Sequence, residues 1–331
     1  MKALTSLLAI LFFMCLTSAQ VLAAGPTPFP LRNQSPLIQL FGLPPAPTEL
    51  TPAGHWAGAF TIDVSSNFQT EDDDADEFLW LDGETYRYTL TLDYGVSDNL
   101  NLAVDIPYLQ HRNGFLDGFI EGWHDAFGLP QGGRDNYPHD QLHYEYSRDG
   151  ETRLLLDEPA EGLGDIRLSA LYRLWSDAQN SALLQFSLEL PTGDSDKLLG
   201  SGSYDLAVAG QLRHLGTWFG RPLAVYGGLG VMGMTDGDII AEQQRSVVLF
   251  GHCGVGWQAW KPVDLKLQLD GHSSFYSDSD LRELDSPSLQ LAIGGAIHWN
   301  QANNIDLAVT EDVVVDTAPD VSFHLGWRHL F

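Results

Sequence analysis

The side chains best equipped for chemistry fall at even-numbered positions near the C-terminus. They are His252, Lys266, Asp270, His272, His298, Asp306, His324 and Arg328. A pair of histidines can bind a metal or pass a proton near neutral pH. His252 and His272 are the weak candidates for such a pair, because a short connection brings them face to face or one pair apart. The favoured reading is plainer: these side chains hydrogen-bond in a wet or partly filled interior. Asp306 and Arg328 fit a cross-strand ion pair. His139 and His143 also have a metal-compatible spacing, without a third fixed ligand. No metal and no cofactor are therefore assigned. The chain has no Gly-x-Ser-x-Gly elbow, phosphate loop or His-Glu-x-x-His run, so no catalytic residue is assigned either.

Even spacing puts side chains on one face only where the backbone is extended. The last segment shows this plainly. In residues 320–331, Val321, Phe323, Leu325, Trp327 and Phe331 share one face, and Ser322, His324, Gly326 and Arg328 share the other. A strand with one lipid face and one wet face needs this period of two. Ending on an aromatic, it resembles the signal by which bacterial outer-membrane barrels are recognised for insertion. Phe331 is the expected contact for the barrel-assembly machinery.

The same alternation recurs in about twelve segments of membrane-spanning length. They are 55–68, 85–96, 100–109, 164–175, 181–191, 203–213, 221–233, 246–260, 263–275, 288–299, 304–315 and 320–331. The cleanest sets Tyr86, Tyr88, Leu90, Leu92, Tyr94 and Val96 against Thr85, Arg87, Thr89, Thr91 and Asp93. The fold expected is all-β: a transmembrane antiparallel up-and-down barrel of about twelve strands over residues 55–331. A soluble sandwich would not place Trp56, Tyr86, Tyr94, Tyr108, Trp175, Tyr204, Trp257, Trp299 and Trp327 near strand ends on the apolar face. Two interfacial girdles would.

Connections alternate between tight turns (97–99, 177–180, 261–262, 301–303) and longer polar loops (69–84, 110–163, 192–202, 234–245, 276–287). Short periplasmic turns and long external loops are the barrel arrangement. Two segments break the rhythm. Residues 24–54 are proline-rich and cannot join a sheet interior, yet Leu37, Ile38, Leu40 and Phe41 should seek burial. They enter the lumen as a plug, pack under the rim, or belong to a floppy tail. In the long external loop 110–163, Leu116, Phe119, Ile120, Trp123 and Phe127 recur at helical spacing, with Gly128 and Pro130 as stops. This helix is expected to lie on the outer leaflet, to fold as a lid across the mouth, or to pack against the rim. Residues 142–146 and 152–156 can follow as a hairpin.

Residues 1–23 read as a secretory signal peptide, with Lys2 before a short apolar core and cleavage at Ala19, Ala23 or Ala24. The formal charge is −27, from 17 Lys and Arg against 44 Asp and Glu. Nucleic acid is excluded as a partner, since phosphate binding needs basic patches. The partners expected are outer-membrane lipid, lipopolysaccharide and a small solute, with a leaning toward cations. The acidic run 71–77 is expected to be a solvated loop tip.

The segments Arg32-Asn33-Gln34-Ser35-Pro36-Leu37, Phe41-Gly42-Leu43-Pro44 and Phe127-Gly128-Leu129-Pro130-Gln131-Gly132-Gly133-Arg134 resemble an outer-membrane family labelled as domain of unknown function thirty-one eighty-seven. Gly162-Leu163-Gly164-Asp165 and Leu190-Pro191-Thr192-Gly193-Asp194 are also similar to barrels associated with meta-pathway phenol-degradation clusters. The first resemblance covers nearly the whole mature chain and implies a barrel. It brings no catalytic residue. The second implies a channel for hydrophobic solutes.

The function these features favour is a narrow channel or binding protein for a small solute. Inward Gly228, Gly230, Gly254, Gly256 and Gly294 are expected to leave room for it. The alternatives are a structural or surface-interaction barrel with a closed lumen and, third, a lipid-modifying outer-membrane enzyme.

Overall fold

The computed structural model describes residues 25–47, 49–73, 76–127, 137–314 and 317–331; for 71–73, 123–127 and 314 only the backbone is described. The expected signal peptide therefore lies outside the described residues. So do the side chains of Trp123 and Phe127.

Twelve strands close into an antiparallel barrel. They are β1 (Trp56–Asp73), β2 (Glu77–Ser97), β3 (Leu100–Arg112), β7 (Ile166–Ser176), β8 (Asn180–Leu190), β9 (Asp205–Trp218), β10 (Arg221–Met234), β11 (Val247–Trp260), β12 (Val263–His272), β13 (Ser288–His298), β14 (Asn303–Val314) and β15 (Val321–Leu330). Three shorter strands, β4 (His143–Arg148), β5 (Glu151–Leu156) and β6 (Ala160–Leu163), arise from the long loop after β3. The ring closes where β1 meets β15, from Ala57 opposite Leu330 to Ser66 opposite Val321. Closure matters because each backbone N–H or C=O left unpaired in hydrocarbon costs several kcal/mol.

The faces are inverted relative to a soluble sheet protein. Leu212, Leu229, Leu249 and Ile293 point outward and are exposed. Asp63, Arg87, Glu189, Asp205, Lys266 and Gln268 point inward and are buried. At the short-turn end, aromatics gather on the outer face: Trp56 against Tyr94 at 4.7 Å between ring centres, and Trp218 against Trp257 at 5.0 Å.

Two boundaries differ from the sequence expectation. Strand β9 runs on to Trp218, which pairs with Arg221 across a two-residue turn. Phe219 (φ 48°) and Gly220 (φ 70°) both adopt the left-handed region that such a hairpin turn requires. At the other end, 69–84 is not a polar loop. Strands β1 and β2 continue to pair as far as Asp73 opposite Glu77. Strand β4 pairs with this extension of β2, and β5 with β4, in the expected hairpin. The alternation is absent there because Phe78-Leu79-Trp80-Leu81 is packed on both sides, with Leu79 and Leu81 fully buried.

Helix α1 (Asp117–Phe127) forms in the long loop, as its spacing predicts. It is not a lid. Leu116 and Ile120 cluster with Val321, Val64 and Phe323, and Phe119 meets Phe323 edge-on at 6.1 Å. Val64 and Phe323 lie on the outward-facing side of β1 and β15. The described part of the helix therefore packs against the outside of the wall at the barrel seam. Its apolar stripe finds there the apolar surface it needs.

Candidate functional site: the filled lumen

The N-terminal segment runs inside the barrel. It starts at the short-turn end, where Pro26 lies against Gly256. It rises along β12, with the Phe29 N–H donating to Oε1 of Gln268 (2.8 Å) and Nε2 of Gln268 returning a bond to the Phe29 carbonyl (3.1 Å). It turns at residues 36–40 in the long-loop half, where the Tyr276 hydroxyl donates to the Leu37 carbonyl (3.0 Å). It then descends past β9, β7 and β8. The Gly42 N–H donates to Asp205 (2.7 Å), Arg167 donates to the Leu43 carbonyl (2.8 Å) and Gln185 to the Pro45 carbonyl (3.3 Å). Near its exit Arg213 pairs with Glu49 (3.2 Å) and Arg328 donates to the Thr51 hydroxyl (3.1 Å). The strand residues it meets, Gln268, Asp205, Arg167, Gln185, Arg213 and Arg328, all face inward, so the segment is a U inside the ring.

Proline suits this path. Pro has no N–H to lose, and its fixed φ keeps both limbs extended without a sheet partner. Apolar burial holds the bend. Leu37, Ile38, Leu40 and Phe41 are buried in one cluster with Leu79, Tyr144, Met232 and Phe275. Phe41 stacks on Phe275 at 4.8 Å. Full burial contributes about 1.5–3 kcal/mol for each such side chain.

The polar candidates are distributed differently from their sequence spacing. His252 and His272 sit one inward pair apart, since His272 is opposite Phe250 and His252 opposite Asp270. His272 is occupied. Asn33 Oδ1 accepts the Ser35 N–H (2.8 Å), so its Nδ2 is the atom that donates to His272 Nε2 (2.9 Å). That leaves Nδ1 of His272 to donate to the Ser273 carbonyl (2.9 Å). Both ring nitrogens are used by the protein. Asp270 accepts from Gln268 (2.9 Å).

Asp306 does not pair with Arg328. It lies opposite Gly326, and it binds Lys266 at 2.5 Å across the intervening strand. Between them on β13 stand the small residues Gly294, opposite Lys266, and Ala296, opposite Asp306. The ring of Phe29 covers the Lys266 ammonium at 4.5 Å. His298 pairs with Asp264 (2.8 Å) and His324 with Asp63 (2.6 Å). Among the described residues, Nε2 of His324 has no hydrogen-bond partner. His139 and His143 have separate partners, Glu121 and Glu145. Among the described residues, no group of three or more His, Cys, Asp or Glu is placed to hold a metal.

The inward glycines do not leave open space. A Cβ at Gly228 would strike Gln211 and His252; at Gly230, Phe250; at Gly254, Tyr226; at Gly256, Pro26; and at Gly294, the Leu307 carbonyl. Their missing side chains admit neighbouring rings, a neighbouring strand or the N-terminal segment. A cavity of 360 Å³ lies at the short-turn end, between the two limbs and the wall.

The sequence model of a family described as a protein of unknown function (DUF3187) matches residues 4–331. No curated protein matches the chain. Among solved structures, the COG4313 outer membrane channel from Pseudomonas putida F1 is similar at 14% identity, with a TM-score of 0.57 over 88% of this chain and 100% of that one. The NanC porin is 8% identical, with a TM-score of 0.46 over 82% and 98%. The Ralstonia pickettii toluene transporter TbuX is 9% identical, with a TM-score of 0.38 over 85% and 90%. At these identities the likeness to the first bears on fold alone, and the other two are too distant to carry an argument. With the family pattern running through to the terminal Phe331 of a closed twelve-strand barrel, the chain belongs to the DUF3187 family.

Proposed function

We propose that the protein is a narrow outer-membrane passage for small solutes, closed at rest by its own N-terminal segment. The short-turn end then faces the periplasm and the long-loop end the exterior. The observation that carries this reading is the U formed by residues 26–47, which enters and leaves on the periplasmic side. A purely structural wall would need no such insert. A gate has to be held by bonds that can be exchanged, and most bonds along the two limbs join side chains to backbone.

The test is conductance in planar bilayers. Wild type should show small events. Removing residues 25–51 should raise unit conductance several-fold. Removing 115–127 should leave conductance unchanged, because the helix packs on the outer wall. If wild type and the N-terminal deletion are both silent while folded, the closed structural barrel takes the place of the channel.

A further inference from the structure

At the short-turn end the two limbs of the N-terminal segment part, leaving the 360 Å³ cavity against β7–β11. This lies at the small end of the range for ligand pockets. The exposed turn between β7 and β8 borders it, so it is reached from the periplasmic side. Pro28 lines it from the rising limb, and Pro47, Glu49 and Leu50 from the falling limb.

The acidic chain as a whole favours cations. The cavity has its own balance. Two guanidinium groups, Arg173 and Arg213, border it, against the carboxylates of Glu49 and Asp177. Asp177 is already engaged, because its Oδ1 accepts the N–H groups of Gln179 and Asn180, both at 2.8 Å. Glu49 is engaged with Arg213 at 3.2 Å. The two ends of that pair are not equivalent. Arg213 is fixed on β9, with 17% of its side chain exposed, whereas Glu49 rides on the falling limb with 31% exposed. The replaceable half of the pair is the anion. Leu183, Leu215 and the prolines add apolar wall beside it.

We propose that this cavity binds a small organic acid with an apolar body, its carboxylate taking the place of Glu49 on Arg213. A guanidinium presents parallel donors to a carboxylate, so the exchange keeps its charge-assisted bonds. The binding site stands on the cavity and the ion pair. Only its consequence rests on the channel reading: acid in the cavity unties the falling limb and favours opening.

Titration calorimetry on the full-length folded barrel tests this, with benzoate, benzyl alcohol and benzylamine as probes. Benzoate should bind at least tenfold more tightly than the neutral and cationic analogues. Arg213→Gln should weaken benzoate at least tenfold. Glu49→Gln should tighten it several-fold, because the competing carboxylate is gone. If the pair only braced the fold, Glu49→Gln would weaken binding or leave it unchanged, and either result overturns the proposal, as does benzylamine matching benzoate or no probe binding. The Glu49→Gln arm stands even if Arg213→Gln fails to fold. Conductance without benzoate binding overturns the site and spares the channel. Benzoate binding by a barrel that stays silent with and without residues 25–51 does the reverse.

Discussion

Tyr146 and Glu77 are bonded above the barrel wall, the phenol donating to Oε1 of the carboxylate at 2.6 Å. Ser279 and the Asp280 N–H donate to Oε2 at 2.7 and 2.9 Å, and Arg148 stands 3.5 Å away. One buried carboxylate thus ties the β1–β2 extension, the β4–β5 hairpin and the loop between β12 and β13. Burial alone would raise its pKa, but the bonds from Tyr146, Ser279 and Asp280 with the charge of Arg148 hold it below the usual carboxylate range. A depressed carboxyl binds its proton less tightly folded than unfolded. It therefore stabilises the loops above the ordinary carboxylate range, and that contribution is lost as pH falls through the lowered value. Hydrogen exchange at the Asp280 N–H, corrected for its intrinsic rate, should quicken between neutral pH and pH 3. Glu77→Ala should exchange quickly at both, having lost about 1–3 kcal/mol from donors left unsatisfied. Equal pH sensitivity in the variant would show that other groups carry the effect.

Asp165 does similar work on the next loop. Its carboxylate accepts the N–H groups of Thr192 (2.8 Å), Gly193 (2.7 Å) and Ser201 (2.9 Å). It lies close against Gly200, where a Cβ would come within 2.4 Å of it. The two motifs singled out in the sequence, around Gly164-Asp165 and Thr192-Gly193, are two halves of one contact. Asp165→Ala should loosen the loop by about 1.5–3 kcal/mol. Hydrogen exchange should quicken at Thr192, Gly193 and Ser201. Unchanged exchange there would mean that these N–H groups find other acceptors.

The Lys266–Asp306 pair is buried and flanked by apolar atoms, so each charge depends on the other. Asp306→Asn should cost about 3–5 kcal/mol, since it leaves an uncompensated ammonium inside the wall. Replacing both with Met and Leu should recover much of the loss. Arg328→Gln should cost under about 1 kcal/mol, because that side chain meets a threonine hydroxyl and not Asp306. Thermal unfolding followed on gels, where folded and heated barrels migrate differently, ranks the three. Equal losses for Asp306→Asn and Arg328→Gln would favour the pairing expected from sequence spacing.

Phe331 completes the seam. Its N–H donates to the Trp56 carbonyl at 2.8 Å, and its ring lies 3.3 Å from where a Cβ on Gly58 would sit. Deleting it should slow membrane assembly and leave a protease-sensitive form in the periplasm. A normal yield of protease-resistant barrel would show the aromatic end to be dispensable.

The barrel was legible because its rule is periodic. A period of two fixes which residues face inward, and His252, Asp306 and His324 do. Their partners were not legible. Lys266 reaches Asp306 across a whole intervening strand, and His272 is occupied by Asn33, distant in sequence. Glu77 was hidden in an acidic run that reads as solvated, because its burial depends on a hairpin contributed by another loop. The N-terminal segment left one signal, an apolar run at residues 37–41 within proline-rich chain. That run announces burial without saying where. The helix showed its apolar stripe, but the stripe fits the outer wall as well as the mouth, and contact with Phe323 decides between them.

Gly42 offers a way to move the segment without shortening it. A Cβ there would stand 2.9 Å from the Cβ atoms of both Asp205 and Glu189. Neither is the yielding tip of a side chain; both are anchored on strands β9 and β8. Gly42→Val must therefore push the falling limb off the wall and break the Gly42–Asp205 bond. The barrel itself should remain folded, since no pairing between strands involves Gly42. If the segment closes the passage, Gly42→Val should raise conductance toward that of the deletion of 25–51, with unchanged heat-modifiability. Gly122→Ala, on the outer helix with nothing within 4 Å of the new methyl, is the matched control and should conduct like wild type. A folded Gly42→Val barrel that conducts no more than wild type would mean the segment does not gate the lumen.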